Sequence, residues 1–144
     1  MAQTLTISYE DNSPKGKRET SLSGTMKSGV VAATVNTLVT AMKAIQAATP
    51  AYTGAAVSDK LAITVNAAAG GNEVERNNKW AVRCSSTLGI STHYVGCADY
   101  SLGVGDKLDI SAGVGATFKT AFEACFTDKG GNALTVLEVY KANS

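Results

Sequence analysis

The chain has 144 residues, 44% hydrophobic and 17% charged, which suits one packed domain and excludes wholesale disorder. Thirteen Lys and Arg against twelve Asp and Glu leave a formal charge of +1, which excludes a strongly basic nucleic-acid binder as the dominant theme. One histidine and three cysteines are too few for most multi-ligand zinc sites.

The N-terminal segment lacks a basic stretch followed by an apolar core, so no secretory signal is expected. No run approaches the roughly 18 consecutive apolar residues of a spanning helix, so a soluble chain with no membrane partner is expected. Thr4 to Tyr9 alternate strictly, with Leu5, Ile7 and Tyr9 on one face, and predict a half-buried strand. Asp11 to Gly16 carry dense turn chemistry, and Lys17 to Ser23 are expected to return as the second hairpin strand. From Ser28 the period changes. Val31, Val35, Leu38, Met42 and Ile45 make one helical stripe, with Ser28 as its expected N-cap and Pro50 as its stop. Leu61, Ile63 and Val65 alternate in a further strand.

Residues 67–78 have no sustained period, contain Gly70-Gly71 and read as a connection between two halves. Beyond it, Trp80, Val82 and Cys84 alternate, Ser86 to Gly89 turn, and Ile90 to Cys97 return as a partner strand. Gly103 to Asp109 read as a polar loop, and Gly113 and Gly115 as a flexible helix start. Phe118, Ala121, Phe122, Cys125 and Phe126 predict an amphipathic helix that Gly130 or Gly131 would end, and Leu134 to Tyr140 a last strand. The expected fold is therefore α+β: two pseudo-repeated β-β-α-β halves, residues 1–68 and 78–144, forming one mainly antiparallel sheet with two helices on one face. The halves are too small to bury separate cores, so 1–144 reads as a single domain.

The polar residues assemble no catalytic signature. His93 is the only histidine, and Cys97 lies four residues along the same strand, roughly 13 Å away at ~3.3 Å per residue, too far for a nucleophile–base bond. Asp99, Asp106 and Asp109 lack calcium-loop spacing, and the Gly-Val-Gly pairs make no phosphate loop. No catalytic, cofactor or metal site is therefore expected. Cys84, Cys97 and Cys125 read as free thiols, with a cross-strand disulfide between Cys84 and Cys97 left open. Lys15, Lys17 and Arg18 form a basic hairpin tip that suits nucleic acid or an acidic neighbour. Tyr9, Tyr52, Tyr94 and Tyr100 join them as candidate interface residues, since a Tyr buries large area at low entropy cost.

Asn78-Lys79-Trp80-Ala81-Val82-Arg83, then Cys97-Ala98-Asp99-Tyr100-Ser101-Leu102, then Leu108-Asp109-Ile110, resemble small bacteriophage virion proteins of the minor-capsid and decoration kind. A helix like Ala116 to Ala124 and a Gly131-Asn132-Ala133 turn before the last strand complete the likeness, over about residues 78–140. The resemblance implies a non-enzymatic structural subunit located in the virion, made in the host cytoplasm. Its partners would be copies of itself and other virion proteins, reached through strand edges and loops 11–18, 49–57 and 99–108. The alternative is a nucleic-acid-associated or regulatory phage protein that uses the basic hairpin tip.

Overall fold

The structure is a computed structural model, and it describes residues 3–13, 16–48, 57–66, 78–96 and 107–141. Strands β1 (Thr4–Ser13) and β2 (Gly16–Met26) form a long antiparallel hairpin, paired from Thr4↔Thr25 to Ser13↔Gly16. Helix α1 (Ala32–Ala48) follows, and β3 (Val57–Asn66) then pairs with the outer side of β1. The second half repeats this order of events. Strands β4 (Asn78–Ser86) and β5 (Gly89–Gly96) form a hairpin, and α2 (Gly113–Cys125) precedes β8 (Thr135–Lys141), which pairs with β4. Two short strands, β6 (Lys107–Leu108) on β8 and β7 (Phe126–Thr127) on β2, are too brief for periodicity to reveal.

The sheet runs β3-β1-β2-β5-β4-β8-β6 and every pairing in it is antiparallel. It thus consists of two blocks that meet at a seam along β2, which runs against β5 at Ser21↔Gly96 and against the short β7 at Thr25↔Thr127 and Met26↔Phe126. Both helices lie on the same face. Leu5, Ile7, Leu22, Val82 and Val95 from the strands are buried with Val35, Leu38 and Met42 of α1 and Phe118 and Phe122 of α2 in one core cluster. The expectation of a mainly antiparallel α+β sheet carrying two helices is met.

Several boundaries differ from expectation, each for a local reason. The first helix starts at Ala32 and not at Ser28, because Gly29 turns the chain at φ +86°. Val31 consequently falls before the helix and is 61% exposed, while the rest of its expected stripe is buried. Phe126 keeps helical spacing but is extended, and its amide bonds back to the Phe122 carbonyl as α2 ends. Gly130 and Gly131 therefore lie in the turn after β7, not at the helix end. Gly115 is no flexible start either. It is buried because the Asp109–Ile110 backbone crosses over it, and an added Cβ would stand 1.9 Å from the Asp109 carbonyl oxygen.

In β8, Val136 and Val139 are both buried although three residues apart, a spacing that regular alternation forbids. A bulge resolves it. Arg83 pairs with Glu138 and Cys84 with Val136, leaving Leu137 as the extra residue, turned outward. Glu123 of α2 fastens the helix to this strand, accepting the Val136 amide at 2.8 Å and the Lys119 ammonium at 2.6 Å.

Candidate functional site

The most chemically loaded spot lies beneath the seam. Alternation along β5 turns Ser91, His93 and Val95 toward the helices and Thr92 and Tyr94 away from them, and the register sets His93 opposite Val82 and Ser91 opposite Cys84. His93 is 6% exposed. Its ring meets Phe122 edge-on at 5.3 Å and Phe126 at 6.1 Å, while the two phenylalanines lie tilted at 40° with centroids 4.9 Å apart. From β2, Gly24 permits the close approach: a Cβ there would lie 2.7 Å from Phe126 Cδ1 and 3.3 Å from His93 Cε1. Burial holds the imidazole below its ordinary pKa, partly opposed by a hydrogen bond to the Ser23 backbone. Nδ1 and the neighbouring Ser91 Oγ are buried without hydrogen-bond partners.

A cavity of about 200 Å³ opens beside this cluster, lined by Gly24, Ser91, His93 and Asp128 and rimmed by Leu88 and Ile90. The two orphaned atoms are themselves sealed from solvent, so a molecule in the cavity does not reach them without displacement of the wall. Asp128 is committed to its own turn. Its Oδ1 accepts from the Gly130 and Asn132 amides at 2.9 and 2.8 Å. Burial raises its pKa, but hydrogen bonds from Ser86, Asn132 and Gly130 outweigh that and hold the carboxyl below the usual range. The Cys84 thiol is pushed up to about 12 by burial and by the nearby Glu123, with Lys119 pulling the other way, and burial pushes Cys125 up to about 11. Both stay protonated, weakly nucleophilic thiols near neutral pH.

The opposite sheet face is polar. Ala81 is fully buried between its register partners Tyr94 and Tyr140. Beside it Glu138 reaches Lys107 Nζ at 2.8 Å and Arg83 Nη1 at 3.6 Å, and the Lys107 contact leads the effects that hold its carboxyl below the usual range. Thr6 and Ser23 share a hydroxyl–hydroxyl bond of 2.9 Å on the same side. On the helix side, a groove of about 700 Å³ runs between Ala33, Thr34 and Thr37 of α1 and Ala116, Thr117 and Thr120 of α2. Thr37 and Thr117 donate back to the carbonyls of Ala33 and Gly113, which leaves the groove with few free donors.

Known protein families, curated proteins and solved structures offer no match to this chain.

The residues singled out from sequence are dispersed. Tyr94 is half-buried on the polar face, and Tyr9, Lys17 and Arg18 lie on the β1–β2 hairpin by backbone position. Lys15, Tyr52, Tyr100 and Cys97 fall outside the described residues. Cys84 is a free, buried thiol, and its neighbour across the hairpin is Ser91. Sequence reasoning passed over Ser91, the Phe122–Phe126 pair as walls for His93, and the Arg83–Glu138–Lys107 group. The alternation of Ser91, His93 and Val95 was the available signal. It was masked because Ile90, Thr92 and Tyr94 make an equally plausible inward face. No described helix is long and apolar enough to cross a membrane.

Proposed function

We propose that the protein is a non-enzymatic structural subunit of a bacteriophage particle, a minor capsid, cement or decoration component acting through contacts with copies of itself and with other virion proteins. The observation that carries this reading is the edge of the sheet. The ten-residue strand β3 ends it, and among the described residues no strand pairs with its outer side. A long edge offers a row of main-chain donors and acceptors to another chain, a liability in an isolated monomer and a means of joining subunits in an assembly. Leu88 and Ile90, 66% and 57% exposed at the β4–β5 turn, add apolar area on the surface. The resemblance of residues 78–140 supplies the setting, a virion, and the edge supplies a mode of contact.

The described polar groups point the same way. The two thiols are buried and protonated, the imidazole is enclosed by phenylalanines, and Glu138 ties up both Arg83 and Lys107. Negative-stain microscopy of the concentrated protein, run beside a gel-retardation assay with DNA and RNA, tests the reading. Regular rings, tubes or shells without nucleic-acid retardation at 150 mM salt are expected. A discrete particle of subunit size that retards nucleic acid in a salt-dependent way would replace it with the alternative, a nucleic-acid-associated protein using Lys15, Lys17 and Arg18.

A further inference from the structure

His93 stands where the two blocks of the sheet meet, and it belongs structurally to both. It rises from β5, is walled by Phe122 and Phe126 of the second half, and lies against the β2 backbone of the first at Gly24. One ring nitrogen donates to the Ser23 carbonyl, a bond from β5 to β2, while Nδ1 is buried without a partner. Ser91 Oγ, on the same strand face, is orphaned in the same way. The β2–β5 register passes through Ser21↔Gly96, and the ring sits inside this junction between β5, β2 and β7.

We propose that the β2–β5 seam is an acid-operated latch, with His93 as its bolt. Proton uptake at Nδ1 from solvent creates a cation in a pocket of phenylalanine rings, with no anion bonded to it. The seam then opens locally, and water reaches Nδ1 and Ser91 Oγ. Contact with a phenyl ring does not replace the hydration a buried imidazolium loses.

The surrounding groups leave the charge uncompensated. β2 presents the Ser23 and Gly24 backbone with Thr25 at the cavity, and β4 presents Val82 and Cys84, whose thiol is neutral with its pKa at about 12. α2 presents Phe122, and its charged neighbours Glu123 and Lys119 bond to each other. β7 presents Phe126 and Thr127. Next to it stand Lys129, a cation, and Asp128, whose carboxylate is held by Gly130 and Asn132. A folded-state imidazole held below its ordinary value gives stability that is full above the unfolded pKa of about 6.5 and declines as pH falls through it. His93 is the only histidine in the chain, so a response between pH 7.0 and 5.5 traces to this side chain. The latch does not depend on the particle reading, because it operates within one chain.

Hydrogen exchange resolved by mass spectrometry, corrected for intrinsic rates and run at pH 7.0 and 5.5, tests it on the full chain. Peptides covering residues 20–27 and 89–96 should lose protection severalfold at the lower pH, up to the roughly eightfold limit that an opened-state imidazole of ordinary pKa sets over this interval. Peptides of β8 should hold theirs. His93→Phe, which keeps an aromatic ring, should abolish the difference, and His93→Gln serves if the larger ring prevents folding. Unchanged seam protection in the natural chain would overturn the latch. So would a loss spread evenly over β8, or one that persists in the folded variant.

Discussion

At Gly115 two effects of opposite sign meet. In an exposed helix, replacing Gly with Ala stabilises by about 1 kcal/mol, because the backbone loses less freedom on folding. Here the added methyl would stand 1.9 Å from the Asp109 carbonyl oxygen, a backbone atom that no rotamer change can clear. The clash wins. Gly115→Ala should destabilise by roughly 1–3 kcal/mol in chemical denaturation, and a stabilised variant would mean that the Asp109–Ile110 segment yields easily. The sequence showed a glycine in a helix start and no hint of what crosses it. The buried thiols make a second prediction at this scale. With pKa values at about 12 and about 11, Cys84 and Cys125 should resist iodoacetamide at pH 7.5 in the native protein and react once it is denatured, as peptide mass spectrometry would read. Rapid native labelling of either would contradict their burial. His93 was legible as a strand residue only. Its face is settled by pairing, which sets it opposite Val82, and an alternating pattern with apolar residues on both sides does not contain that choice.

Among the elements, the helices were the most legible because a stripe repeated over several turns averages out local exceptions. Val35, Leu38, Met42 and Ile45 in α1, and Phe118, Ala121, Phe122 and Cys125 in α2, are all buried as their spacing requires. The exceptions sit at the ends. Val31 escapes because the chain is still turning at Gly29, and Phe126 stays inward although the helix has ended, since an extended residue just past a helix can still face the core. Strand β8 was legible as a strand but not in its bulge, because Val136 and Val139 look out of phase. Deleting Leu137 would leave Val136, Glu138 and Val139 in plain alternation, inward, outward, inward. We expect this deletion to keep the fold, the Glu138 ion pairs and stability within about 1 kcal/mol. A deletion that unfolds the chain would show that the sheet needs the extra twist the bulge provides.

For the molecule as a whole, element order gave away the architecture and pairing partners did not. The hairpin-helix-strand order in each half is visible in the periodicities, whereas the junction of the blocks through β2 and β5 is a long-range contact with no local signature. The same holds for the candidate site, which draws on β2, β5, α2 and β7 at once and so could not be read from any one segment. The side of β3 that no described strand covers is what the proposed function rests on. Successive amides of an antiparallel strand point to opposite sides, so Ala62→Pro and Ile63→Pro each remove one donor, one toward β1 and one toward the open edge. Light scattering on the natural chain and these two variants across a concentration series is the most direct test. The account predicts a natural chain with a mass of several times 14.8 kDa, and one natively folded Pro variant that falls to the subunit mass. A natural chain that stays at 14.8 kDa throughout, or assemblies untouched by either substitution, would contradict it.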